Sequence, residues 1–295
     1  MLDYVLVTVA TLMFGVQFLL NNLYQRESGN GIGATMTFAF IGGIIGIVSL
    51  TLINGFSFSA TPFTLIMALL SALLSIAYTF CSLKAFEKIN LSLYSLFAML
   101  GGMILPFFQG IMFYDEPVTV AKAICVVFVI AALVICTTRN GKKGGFIYYF
   151  GVFVLNGLSG VFSKIFQASS YEKTSEAMYS IWSAAIKLLI SAVVIVILII
   201  LRKKRRDSEP MITMPSPKAL IFGSAHGVFN AVANFILLLS LASLPASAQY
   251  PFITGGVIIA STVISAIMGS KPSKKEIISV ILSFIGLLAL VFIPI

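Results

Sequence analysis

Residues 177–201 read AMYSIWSAAIKLLISAVVIVILIIL, an apolar run interrupted by one charged side chain, Lys187. A helix gains 1.5 Å per residue, so about 20 residues cross the hydrocarbon core of a bilayer, and this run is long enough to do so. Working outward from it, nine more runs of the same kind fill almost the whole chain. They lie near 3–22, 31–53, 62–83, 91–113, 118–138, 146–168, 218–243, 246–268 and 273–293. Across 295 residues the composition is 59% hydrophobic and 10% charged, with a mean hydropathy of +1.06. That leaves too little polar surface for a water-soluble fold. Helices suit such a chain because they pair their own backbone groups where no water can. Pro62, Pro117, Pro217 and Pro272 each fall near an expected helix start, where a missing N–H costs nothing.

The last five runs reread the first five. An offset of 142 pairs Gly15 with Gly157, Tyr24 with Phe166, Gln25 with Gln167, Met36 with Met178 and Phe40 with Trp182. Past the second run of each half the offset becomes 154, pairing Leu83 with Leu237 and Gly101-Gly102 with Gly255-Gly256. The twelve added residues fall between the seventh and eighth runs, where Arg202-Lys203-Lys204-Arg205-Arg206 opens a polar loop. The expected fold is therefore an all-α integral membrane protein of ten transmembrane helices in two inverted five-helix repeats, 1–140 and 141–295, with a basic loop near 202–217. Five is odd, so the second half enters the membrane from the opposite side, the architecture of alternating-access transporters. Gly42 with Gly46, and Gly223 with Gly227, are spaced to let neighbouring helices approach closely.

Basic residues set the expected orientation. Arg26, Lys84, Lys88, Arg139, Lys142, Lys143, the 202–206 run, Lys218, Lys271, Lys274 and Lys275 lie on one side, and only Lys122 and Lys173 on the other. The richer side is assigned to the cytoplasm and both termini to the outside. The net charge of +9 then marks topology and attraction to the lipid bilayer, not a nucleic-acid partner. No retrieval signal ends the chain, which favours a bacterial plasma membrane.

Cys81, Cys125 and Cys136 are scattered, with no spacing for a metal or disulfide framework, and no cofactor is expected. One histidine and ten carboxylates assigned to loops or span ends leave few parts for a membrane enzyme. The same lack of mid-membrane acid argues against a proton-coupled exporter of lipophilic cations.

At Phe14-Gly15-Val16-Gln17-Phe18, at Leu83-Lys84-Ala85-Phe86 running up to Pro106, and at Glu116-Pro117-Val118-Thr119, the chain resembles EamA-type members of the drug/metabolite transporter superfamily. The resemblance implies a basket-like bundle with a central cavity, and export or exchange of small metabolites such as amino acids. The second half departs from the pattern, with Lys271-Pro272 where the first has Glu116-Pro117. The family often keeps its termini in the cytoplasm, contrary to the charge count.

Polar groups deep in a bilayer are expensive and become candidates for a substrate pathway. Lys187 lies about ten residues into its span, too deep for comfortable snorkelling. It either faces a cavity, where it would attract a carboxylate or phosphate, or holds two helices together. His226, Asn230 and Asn234 recur every four residues and share one helix face, as cavity lining or as interhelical hydrogen-bond partners. Gln17 and Asn21 form a similar pair on the first span, answered by Ser159 and Ser163. Asn22 is answered by Lys164, which sits near a span end, where it can more easily reach the interface, and ranks below Lys187 as a substrate residue. Tyr94, Trp182 and Tyr250, with Gln249, could supply aromatic and amide walls or serve as packing anchors. The leading expectation is a transporter of small zwitterionic or anionic metabolites. Alternatives are a lipid or isoprenoid-linked sugar translocator and a structural or signalling membrane protein.

Overall fold

A computed structural model describes residues 2–89, 91–136, 146–205, 214–268 and 274–292. All of the regular structure among them is helical: α1 (Leu2–Ser28), α2 (Ile32–Ile53), α3 (Pro62–Phe86), α4 (Leu91–Phe113), α5 (Val120–Cys136), α6 (Phe146–Ala168), α7 (Glu176–Arg205), α8 (Pro217–Ser240), α9 (Ala246–Ile267) and α10 (Lys274–Phe292). Six helices, α1, α2, α3, α6, α7 and α8, are long and apolar enough to cross a membrane. This is the character of a multi-pass membrane protein. The remaining four carry shorter apolar stretches.

Local chemistry sets several ends. The Thr61 hydroxyl accepts from the Thr64 N–H at 3.3 Å with Pro62 at the first turn, and Ser216 accepts from Ala219 N–H at 3.1 Å ahead of Pro217. Both are N-caps whose proline gives up a donor the helix could not use. Pro117 sits three residues before α5, outside it, while Arg139, Lys142, Lys143, Arg206, Asp207, Glu209, Lys271 and Pro272 lie outside the described residues. Gly29 ends α1 in the left-handed region at φ 77°, its N–H on the Gln25 carbonyl at 2.8 Å.

Helices of the first five pack mainly against helices of the last five. α2 lies on α7, α4 on α9 and α5 on α10; α1 lies on α8 and α9, while α6 lies on α3 and α4; α2 touches α8 as α3 touches α7. Glycines permit the closest approaches. A side chain added at Gly101 would stand 1.7 Å from the Phe153 carbonyl oxygen, so α4 and α6 meet backbone to backbone. Gly15 of α1 meets Ala260 of α9, and Gly43 of α2 meets Leu188 of α7, each with a Cβ-position gap of 2.9 Å. Gly227 lies against Ile45 and Gly42 in the same manner, whereas Gly223 has only ordinary contacts. Around this core the outer surface is apolar. Leu189, Val193, Ile197 and Ile200 form an exposed stripe on α7, and Ile278, Ile281, Ile285 and Leu288 one on α10. Exposed stripes this long suit lipid rather than water.

Candidate binding cavity

Each of five helices turns one polar stripe inward, at the spacing of three or four residues that keeps side chains on one face. α1 contributes Gln17 and Asn21, α3 contributes Ser71, Ser75 and Tyr78, and α6 contributes Asn156, Ser159 and Ser163. α7 adds Tyr179, Ser183 and Lys187, and α8 adds Asn230 and Asn234. Between them lies a cavity of about 200 Å³, with a lobe of about 30 Å³ at Asn21, Thr79 and His226. Gln17, Tyr78, Lys187 and Asn230 line both spaces. Phe14, Phe18, Leu74, Leu237 and Ile253 form the apolar part of the wall.

The cavity is displaced along the bundle. Its lining reaches Tyr179, three residues into α7, and Leu238, two residues from the end of α8. In the other direction it stops at the lobe. In the lobe's wall Phe38 packs on His226 with ring centroids 4.5 Å apart; behind it Tyr24 packs on Phe38 at 4.4 Å, and the Tyr24 hydroxyl donates to the Ala34 carbonyl at 3.0 Å. This aromatic layer stands where α1 ends and α2 and α8 begin.

Lys187 carries the charge of the lining. It has no hydrogen-bond or ion-pair partner among the described residues, and Gly42 opposite it leaves room for the ammonium, 3.8 Å from where a Cβ would stand. Among the described residues no Asp or Glu lines either space. The side-chain carbonyl oxygens of Gln17 and Asn21 are buried and accept from no donor. Asn234 donates back to the Asn230 carbonyl at 2.8 Å.

The residues expected from sequence divide as follows. Lys187, Asn230, Asn234, Gln17 and Tyr250 line the cavity, and His226 and Asn21 line its lobe. Tyr250 also bonds the Gly160 carbonyl at 3.2 Å. Tyr94 stands behind the wall: it is fully buried, shares hydroxyl bonds of 2.7 Å with Tyr78 and Ser82, and presents its ring to Phe18. Trp182 is also off the wall, because its indole N–H is drawn to the Ser59 carbonyl at 2.9 Å. Gln249 ties α9 to α8 through the Leu237 carbonyl and the Ser240 hydroxyl. Tyr78, Ser71 and Ser75 were not singled out from sequence, although their spacing on one face of the third span was the available signal.

Lys164, the weaker of the two candidate lysines, is absent from the cavity lining and is held in an ion pair instead. It pairs with Glu116 at 2.8 Å, with side chains only 11% and 8% exposed, and lies over the Tyr114 ring. Glu116 sits in a loop, as expected of the carboxylates, yet this loop folds inward. Asp115 takes φ 50° and the Glu116 N–H donates to the Gly110 carbonyl at 3.1 Å. A side chain at Gly110 would stand 2.6 Å from the carboxylate. A neighbouring lysine, Lys122, is 1% exposed and donates to the Pro117 carbonyl at 2.8 Å.

No family model matches the chain, and no curated protein matches it. A solved structure, described only as the crystal structure of a protein, is similar over 97% of this chain and 95% of its own, with a TM-score of 0.71 at 15% identity. That likeness covers the whole fold. At this identity it speaks for the fold alone.

Proposed function

We propose that the chain is a membrane transporter of small zwitterionic or anionic metabolites, of the EamA type within the drug/metabolite transporter superfamily, working by alternating access between two inverted halves. The observation that carries this reading is the Lys187 ammonium, without a hydrogen-bond or ion-pair partner among the described residues, facing a cavity with polar stripes between helices of both halves. A charge in the bilayer interior without a protein partner is costly, and a carboxylate or phosphate of a passing solute offsets that cost.

The packing supports two exchangeable halves. Advancing every helix number by five turns the α1–α8 contact into α6–α3, α1–α9 into α6–α4, and α2–α8 into α7–α3, while α2–α7, α4–α9 and α5–α10 map onto themselves. Gly15 on α1 meets α9, and its counterpart Gly157 on α6 meets α4. Two halves with interchangeable contacts can swap roles, opening the cavity first to one side and then to the other. The Tyr24–Phe38–His226 layer is the closed side of one such arrangement.

The test is flux. Purified protein in liposomes should exchange radiolabelled amino acids or organic anions, and Lys187→Ala or Asn230→Ala should lower that flux by about tenfold, the value of one lost charge-assisted contact. Flux indifferent to both changes would remove this cavity as the pathway.

A further inference from the structure

Building on the transport reading, we infer that the cargo is a small monocarboxylate with a hydroxyl beside its carboxylate, bound as a net monoanion by Lys187, Gln17 and Asn21. Three observations lead there, and the first is a charge balance. Among the described residues the cavity and its lobe hold one lysine and no carboxylate. A zwitterion would bring a carboxylate to Lys187 and also an ammonium, so the filled cavity would keep a net positive charge in a poorly polarisable medium. Its ammonium would find only neutral oxygens. A monoanion cancels the charge, and a dianion overshoots it. Burying net charge is the dominant cost at this depth.

The second observation is a pair of unmet acceptors. Gln17 is 4% exposed and Asn21 3% exposed, one helical turn apart on α1, and the carbonyl oxygen of each amide has no donor. Gln17 and Lys187 line both the cavity and the lobe, and Asn21 lines the lobe beside them. A buried acceptor left without a donor costs about 1–3 kcal/mol. A hydroxyl next to the group that Lys187 holds donates its one proton to the Gln17 oxygen and removes that share of the cost. The third observation is the apolar part of the lining, where Phe14, Leu74, Leu237 and Ile253 suit a short hydrocarbon body.

Three probes with one carbon skeleton separate these contributions: 2-hydroxy-4-methylpentanoate, 4-methylpentanoate and leucine. They differ only in bearing a hydroxyl, a hydrogen or an ammonium beside the carboxylate. Calorimetric titration of the full-length protein in detergent should place the hydroxy acid tightest. The plain acid should follow about threefold to tenfold weaker for one lost neutral hydrogen bond, and leucine about tenfold or more below the hydroxy acid for its retained charge. Gln17→Leu should erase the difference between the first two and keep their advantage over leucine, and Lys187→Met should abolish binding of both anions. If Lys187→Met does not fold, the ranking in the parent and in Gln17→Leu decides. Leucine binding as tightly as the hydroxy acid overturns the monoanion assignment, and equal binding of the two anions overturns the hydroxyl. No binding of any of the three overturns the inference entirely. Liposome flux of the same probes keeps the two readings apart. The expected ranking without flux upholds the ligand class against the transport reading, whereas flux of leucine alone upholds transport and overturns the ligand class.

Discussion

Lys187 shares the cavity lining with Gln17, Ser183 and Asn230, yet it has no hydrogen-bond or ion-pair partner among the described residues, and that makes its energetics unusual. Replacing a paired buried charge normally destabilises a protein, but removing an unpaired one relieves desolvation. Lys187→Met should therefore unfold at the same temperature as the parent or higher, while losing ligand binding; a melting temperature lowered by several degrees would show that the ammonium has a structural partner. The Glu116–Lys164 pair should behave in the opposite way. Glu116→Gln strands a buried ammonium and should cost about 3–5 kcal/mol, and the double change Glu116→Gln with Lys164→Met should recover much of that loss. Thermal or denaturant unfolding of the single and double variants measures both. Both lysines were visible in the sequence as charges in apolar runs. What separated them was Asp115, whose left-handed backbone turns Glu116 inward to meet Lys164. A bare residue string carries no record of that turn.

The helices owe their positions to length and their contacts to small residues. Apolar runs of bilayer length foretold apolar helices, six of which are long and apolar enough to cross a membrane, and Pro62 and Pro217 mark the starts of α3 and α8. Partner choice was less legible. The motif Gly101-Gly102 signals close approach, but only the folded chain shows that the backbone pressed against Gly101 is Phe153 of α6. Gly101→Ala should thus prevent α4 and α6 from docking and leave little folded protein on size-exclusion chromatography. Gly31→Ala, at the N-cap of α2 with open space around it, should elute and melt like the parent. The polar stripes followed the same division. The spacing of His226, Asn230 and Asn234 placed them on one face of α8, and their helix then delivered them to the cavity or its lobe. Trp182 and Tyr94 have the chemistry of a pocket wall, yet each is held off it by a hydrogen bond to a carbonyl or a phenol.

At the scale of the whole molecule the charge bias makes a prediction about sidedness. Tyr171, in the exposed segment between α6 and α7, and Met214, just ahead of α8, lie at opposite ends of the bundle and are 71% and 96% exposed. With cytoplasmic placement of the basic loop, Tyr171→Cys should react with an impermeant maleimide on intact cells, and Met214→Cys only after permeabilisation. The reverse pattern would invert the molecule and the direction in which its cavity faces. Composition and run length by themselves determined that this chain folds as apolar helices able to cross a membrane, because a lipid solvent leaves the backbone few ways to satisfy itself. Sequence also set which side chains carry charge into that solvent. Only the tertiary structure decided which charges stay unpaired, which helices meet, and where the cavity lies. Those outcomes depend on helix rotation, loop direction and close glycine contacts, which join residues a hundred or more positions apart and leave no local periodicity to read.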